Sequence, residues 1–491
     1  MELLSIGEIV KATRGKLLCG NDKLQIHAVS TNSKEVEEGT LFVPIVGERV
    51  DAHTFIPSVI EASATAIIIS KQIDLSNVKE NQAIIQVEDT KEALQDLAAY
   101  YRDKFDIPVI GITGSVGKTT TKEMISAALE TKYRVLKTAG NMNSQVGLPL
   151  TIFRIDHTHE VAVIEMGISE AGEMQRLARV AKPTHAVITN IGVSHIGQLG
   201  SRENIRKEKM NIANEFSEGS CLFVNGTDDM LMHILPFSEN LKLSDNEKTQ
   251  KYDIIDISDT TAKSLCRADV VTFGCNKDCM YYATDITVNN GHMKFYLQNS
   301  VEEVKCADNQ IELQVLGEHN IYNALVAIAI ANKLGIETSI AKQGVKEYLP
   351  LAMRGEIVKS NGLIVIDDTY NASPDSMRGG INVLLELENI SRRFAVLADV
   401  LELGEYSYSC HYGVGEYIAT KNIDEVVTIG NEAKAIVKAI EDAGVDIVTH
   451  SFDSNQEAID YLKEKLKSGD AVLVKGSRGM HTDEIVTGII K

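Results

Sequence analysis

Hydrophobic and polar positions fall into three textures along the chain. Over residues 1–106, short apolar runs alternate with polar stretches: Leu41-Phe42-Val43-Pro44-Ile45, Ala66-Ile67-Ile68-Ile69 and Ala83-Ile84-Ile85-Gln86-Val87 predict strands, and residues 91–104 carry a helical period. Between 107 and 350, the runs at 107–112, 161–164 and 186–189 are continuously apolar, as in strands of a parallel sheet buried on both faces. Around 246–315 the texture turns polar and β-like. Residues 281–288, the turn Asn289-Asn290-Gly291 and residues 293–297 predict a hairpin that extends the same domain. From 351 to 491, runs at 363–366, 394–397, 425–429 and 471–474 are separated by helical patterns such as 432–443 and 455–466, which predicts a doubly wound α/β unit. No GxGxxG follows its first strand, so a dinucleotide role is not indicated.

The expected class is therefore α/β in three domains. These are an N-terminal α/β module (1–106), a central P-loop-type parallel sheet with a β extension (107–350), and a C-terminal Rossmann-like domain (351–491). A chain of 491 residues suits that division. The net charge of −20 argues against nucleic acid or an anionic membrane as partner, so phosphorylated ligands need local basic groups and metal ions. No run approaches the ~18 apolar residues of a membrane helix, and Met1-Glu2-Leu3-Leu4-Ser5-Ile6-Gly7-Glu8 lacks the basic and apolar regions of a secretory signal. A cytoplasmic location without membrane insertion is the expectation. The seven cysteines form no CxxC, and Cys266, Cys275 and Cys279 lack finger spacing, so they are read as reduced thiols.

Chemistry concentrates after the run 107–112, at Thr113-Gly114-Ser115-Val116-Gly117-Lys118-Thr119-Thr120. Glycines between a strand and a helix expose backbone N–H groups to an anion, Lys118 reaches terminal phosphates, and a Thr hydroxyl can hold Mg²⁺. Ile112 stands where the strict Walker pattern has glycine. Glu165 ends the next apolar run, at the sheet edge where ligands bind, and is read as a metal ligand. Asn190 and His195 follow a third run at the same edge, and His195 can ligate metal. The turn-rich segment 141–149 can line the same cleft, while Asn320 and Asn323, three apart, can offer amides to a base edge or cap a helix.

Together these segments resemble the Mur ligases of peptidoglycan synthesis, over essentially the whole chain. In the first domain the resemblance rests on Ser30-Thr31-Asn32-Ser33-Lys34 and Gly47-Glu48-Arg49-Val50-Asp51-Ala52-His53. In the centre it rests on the loop 113–120, Glu165-Met166-Gly167, His195, Lys209 and Gly317-Glu318-His319-Asn320. In the last domain Arg354, Asp367-Asp368-Thr369-Tyr370-Asn371-Ala372-Ser373-Pro374, Leu397-Ala398-Asp399-Val400 and Lys475-Gly476-Ser477-Arg478 point to the dipeptide-adding branch. Asn32 and Lys34 depart from an STDSR pattern, removing an arginine fork.

The resemblance implies an ATP- and Mg²⁺-dependent ligase, a monomer, that adds D-alanyl-D-alanine to a UDP-N-acetylmuramoyl-tripeptide through an acyl phosphate. It implies catalytic roles for Lys118, His195 and a carbamylated Lys209, with Thr119, Glu165, His195 and Lys209 around metal. ATP would meet 114–120, Asn320, Asn323, Arg354 and Asp368. The UDP substrate would meet Ser33, Lys34, Gly47, Arg49 and His53, and the amine Asn371, Ser373 and Asp399.

Overall fold

The computed structural model describes residues 1–232, 257–289, 291–300 and 309–491. Its apolar runs form three sheets in succession along the chain, with the two-stranded ladder Leu4–Ser5/Gln25–Ile26 beside the first.

The first sheet has five strands, in the order Lys16–Cys19, Ala83–Gln86, Ala66–Ile69, Thr40–Phe42, Ala28–Ser30. Its interior strands are the predicted apolar runs. After it comes the helix Thr90–Arg102, started by Asp89, whose carboxylate accepts the Glu92 N–H and sits at the positive end of the helix. That helix seats the N-terminal part on the centre. Tyr101 donates to the Ile155 carbonyl at 2.6 Å, and the Gln95 amide donates to the Gln145 carbonyl at 3.1 Å.

Among the described residues the second sheet has nine strands. Val109–Thr113 lies between Val161–Glu165 and His185–Ile188, all three fully buried and mutually parallel. In register, Glu165 faces Ile112 and Ile188 faces Thr113, so the carboxyl ends of the strands form one edge. The central strand's two neighbours both come later in the chain, which opens a crevice at that edge. Cys221–Asn225 and Asp269–Gly274 add two further parallel strands. Beyond them the expected hairpin is present, as Tyr281–Asn289 paired antiparallel with His292–Asn299. Asn290, in its predicted turn, lies outside the described residues. Helices Lys118–Glu130 and Glu318–Lys333 pack against each other, bringing the phosphate loop and the Asn320 motif together.

The third sheet runs Glu356–Ser360, Leu363–Asp367, Ala471–Lys475, Arg393–Ala398, Glu425–Ile429, Val448–Phe452, parallel except for its first strand. Edge strands in all three sheets escape the sequence pattern. Glu356–Ser360 and Val448–Phe452 contain no fully buried residue, because one side of an edge strand meets solvent and no continuous apolar run is needed.

Candidate active site

The strand Val109–Thr113 stops where Gly114 takes φ 150°, and a Cβ there would fall 1.9 Å from Thr189 Oγ1. Gly117, at φ 85°, turns the chain into the helix that begins at Lys118. Glycine serves both places because positive φ and close approach exclude a side chain. The loop is pinned from the end of the neighbouring strand: Thr189 Oγ1 donates to the Val116 carbonyl at 2.6 Å, Asn190 Oδ1 accepts the Val116 N–H at 2.9 Å, and Ser115 Oγ accepts the Gly192 N–H at 2.9 Å. Asn190 thus shapes the phosphate loop directly.

Lys118 Nζ donates to the Gly114 carbonyl at 2.8 Å, curling over its own loop. Burial holds its pKa below the ordinary lysine range; Glu165 opposes this and Arg354 adds to it. Thr119 Oγ1 donates to Glu165 Oε2 at 2.9 Å, and the Asn143 amide donates to Glu165 Oε1 at 2.8 Å. One hydroxyl and one carboxylate beside a phosphate loop make an oxygen set suited to Mg²⁺, which takes few protein ligands and shares the rest with phosphate and water. Among the described residues no group of three or more His, Cys, Asp and Glu is clustered as a self-sufficient metal site.

Lys209 is 2% exposed, on the helix Arg202–Met210. Burial lowers its pKa well below the ordinary range, and Lys118 pushes in the same direction. Its neighbour Glu208 does not pair with it. That carboxylate instead accepts the Gly172 and Met174 N–H groups at 2.9 and 2.8 Å. His195 sits at φ 60°, and its Nδ1 lies 2.8 Å from Glu402 Oε2 of the C-terminal part, although the ring N–H does not point along that line. Burial lowers the His195 pKa, Glu402 opposes, and Lys118 and Lys209 add to the lowering.

A cleft of about 1120 Å³ joins Lys118, Thr119, Asn143, Glu165 and His195, while Lys209 lies outside its lining. One wall is Ser115, Val116, Gly117, Lys118, Thr119, Thr120, Asn143, Glu165, Asn190 and His195; the other includes Arg354, Asp368, Asn371, Ser373 and Lys475. The Arg354 guanidinium stacks 3.7 Å above the Tyr370 ring. Lys475, buried at the carboxyl end of its strand, donates to Asp368 Oδ2 at 2.6 Å. Asn320 lines the cleft. Its amide donates to the Leu316 carbonyl at 2.7 Å, and Asn323 accepts from Thr121 Oγ1 at 2.7 Å, tying this helix to the phosphate-loop helix. The two amides are therefore partly committed within the protein.

Other expected groups stand apart. No residue of 1–106 lines the cleft. Ser33 and Lys34 form a short 3₁₀ turn capped by Asn32, and Gly47 and Arg49 lie on an exposed turn. His53 is buried, with Nδ1 2.7 Å from Asp51 Oδ1 and Nε2 accepting the Ser70 N–H at 3.2 Å, so both ring nitrogens are engaged inside the module. Ser373 lines the cleft, but its hydroxyl caps the helix Pro374–Glu386. Asp399 lies outside the cleft lining and accepts the Asn431 and Ala433 N–H groups at 3.2 and 2.8 Å. A direct ligand role fits neither the committed His53 ring nor the committed Asp399 carboxylate.

Sequence reasoning left Tyr370, Glu402 and Asp375 without roles. Asp375 Oδ2 accepts the Val193 N–H at 3.3 Å across the cleft, and Tyr406 donates to the Gly200 carbonyl at 2.8 Å. Local sequence contains no signal for such pairs. For Lys475 the signal existed, since it ends a parallel strand just as Glu165 does.

Comparison with known proteins agrees with this arrangement. Three family models match: the Mur ligase family catalytic domain over 25–102, the Mur ligase middle domain over 112–264 and 237–331, and the Mur ligase glutamate ligase domain over 353–478. The UDP-N-acetylmuramoyl-tripeptide--D-alanyl-D-alanine ligase of Bacillus subtilis is 36% identical over 489 residues, covering 99% of this chain and 98% of that protein. A crystal structure of MurF from Acinetobacter baumannii superposes with a TM-score of 0.85 at 28% identity, covering 100% and 99% of the two chains. MurF from Thermotoga maritima in complex with ADP gives 0.78 at 27% identity, covering 94% and 96%. With its three sheets and phosphate-loop cleft, the chain belongs to the Mur ligase family.

Proposed function

We propose that this enzyme joins D-alanyl-D-alanine to a UDP-N-acetylmuramoyl-tripeptide at the expense of ATP, in the cytoplasmic synthesis of peptidoglycan precursors, and that it works as a monomer. One observation carries the reading: a phosphate loop and a second wall from the C-terminal part, bearing Arg354 and the Asp368–Lys475 pair, face each other across one cleft. Among the described residues no helix is long and apolar enough to cross a membrane.

A carboxylate resists amines until one oxygen becomes a leaving group. In the proposed reaction the tripeptide carboxylate attacks the γ-phosphorus of ATP and ADP departs. The dipeptide amine then attacks the acyl carbon of the resulting acyl phosphate, inorganic phosphate leaves, and the nitrogen loses a proton. The protein mainly positions reactants and neutralises charge. The N–H groups of 117–120, at the start of the helix, cradle phosphate while those of Ser115 and Val116 hold the loop to Asn190, and Lys118, released from the Gly114 carbonyl, turns to the γ-phosphoryl group. Arg354, held flat on Tyr370, and the Asp368–Lys475 pair complete the ATP site from the opposite wall, with Asn320 and Asn323 on the base side.

Mg²⁺, when bound, supplies charge neutralisation at the phosphates. Thr119 and Glu165 fit it, with His195 and Lys209 beside them. Burial and the neighbouring Lys118 favour the neutral form of the Lys209 amine, the form that takes up CO₂; its carbamate is an oxygen donor, and we assign that modification to Lys209. The UDP moiety is assigned to the exposed turns bearing Ser33, Lys34, Gly47 and Arg49, with His53 shaping them. The amine is assigned to the segment of Asn371 and Ser373, with Asp399 bracing the loop behind it.

The test incubates the protein with MgATP, a UDP-muramoyl-tripeptide and a panel of D-dipeptides, with the product identified by mass. Phosphate release is expected only with both acceptor and dipeptide. Turnover of ATP without either would instead indicate a P-loop regulatory NTPase.

A further inference from the structure

His195 and Glu402 meet across the boundary between the central and C-terminal parts, and each has left-handed backbone, at φ 60° and 66°. Strain of this kind persists in a non-glycine residue only where surroundings enforce it. Here they do. On the C-terminal side, the Val400 N–H donates to Nε2 of His411 at 2.9 Å, and the Leu401 N–H donates to Ser477 Oγ at 2.9 Å. His411 is fully buried, and because its Nε2 accepts, its Nδ1 carries the proton toward the Ser407 carbonyl at 2.8 Å. The loop is thereby set before Glu402 projects from it. On the central side, Gly197 lets the two chains touch: a Cβ there would lie 2.9 Å from the Glu402 carbonyl oxygen.

We propose that Glu402 is a positioning residue for His195. Its carboxylate holds the proton on Nδ1, which leaves the Nε2 lone pair on a side chain that lines the reaction cleft. A histidine that ligates or accepts through one nitrogen is commonly oriented by a carboxylate at the other. The unusual feature here is that the orienting group comes from another part of the chain, so His195 is correctly set only when the C-terminal wall is in place. The inference rests on the proposed ligase reading for its catalytic consequence, but not for the tautomer of His195.

Glu402 has a largely exposed side chain, so its replacement leaves folding intact. The experiment compares wild type, Glu402→Ala and Glu402→Gln. ¹⁵N-histidine NMR on ligand-free protein reads the His195 tautomer, with the signal assigned by its loss in His195→Asn. The wild type is expected in the Nδ1–H form, Glu402→Ala shifted toward Nε2–H, and Glu402→Gln, which keeps an acceptor oxygen, close to wild type. In steady-state ligation, Glu402→Ala should lower kcat about 10-fold or more with KM for ATP unchanged, and Glu402→Gln should recover most of the rate. An unchanged tautomer in Glu402→Ala overturns the proposal, as does an unchanged kcat. Absence of ligation by the wild type would sink the ligase reading while the NMR comparison stood on its own.

Discussion

The two walls of the cleft are built on different principles. The phosphate-loop wall is a product of one sheet edge: Gly114, Lys118, Glu165, Thr189 and Asn190 all lie at or just past the carboxyl ends of three neighbouring parallel strands. Their mutual bonds follow from strand register, so the wall exists whatever the rest of the chain does. The opposite wall is only partly of this kind: Lys475 meets Asp368 because Val474 pairs with Asp367 on neighbouring strands, but Arg354 rests on Tyr370 from a separate loop and Glu402 reaches His195 from the C-terminal part. On the proposed reading the first wall is a ready-made phosphate cradle and the second acts only in position, as expected of an enzyme that completes its site by closing over substrate.

The sharpest test of this contrast is Lys118→Ala. Loss of the one cation on the cradle should lower ligation by on the order of 10³-fold, measured by product formation, while calorimetric binding of the UDP substrate to the N-terminal part is retained. Equal rates in variant and wild type would break the assignment of the cradle.

Lys209→Met comes next and separates function from stability. Activity should fall by on the order of 10²-fold, yet in bicarbonate-free buffer, where the amine is unmodified, the variant should melt at a higher temperature than wild type at neutral pH, because the cost of burying an amine whose proton the site disfavours is removed. The sign follows from linkage. A lysine whose folded pKa is depressed binds more protons when unfolded, so the wild type gains stability as pH rises from its folded pKa toward the ordinary lysine range, whereas Lys209→Met lacks that gain. Parallel stability–pH curves for the two proteins would contradict it.

The smallest effect belongs to the second wall. Tyr370→Leu removes the ring beneath Arg354, a contact of about 0.5–2 kcal/mol, and should raise KM for ATP several-fold with little change in melting temperature. A loss as large as that of Lys118→Ala would mean that the two walls are equally rigid.

Much of the fold was legible because buried parallel strands are obliged to be continuously apolar. The runs at 66–69, 161–164, 394–397 and 471–474 are interior strands for that reason. Edge strands such as Lys16–Cys19 and Val448–Phe452 were not legible, since half-solvated strands carry no such obligation. The same division holds in the site. Glu165 stood out because a carboxylate ending a buried strand is costly unless it has work. For His53 and Asp399 the sequence does not show that Asp51, Ser70, Asn431 and Ala433 already bond them inside the protein.

By itself, the sequence determined the phosphate loop, the order of the three sheets and the family pattern. Each of these depends on residues close along the chain, where backbone geometry and burial period leave few alternatives. Tertiary structure alone decided which groups face one another: that Lys209 is buried beside Lys118 without an acid partner, that Arg354 rests on Tyr370, and that Glu402 reaches His195. Glu402 and His195 are far apart in the chain and only the packing of the C-terminal part on the central part sets their distance, while the other two pairs depend on how elements pack within one part.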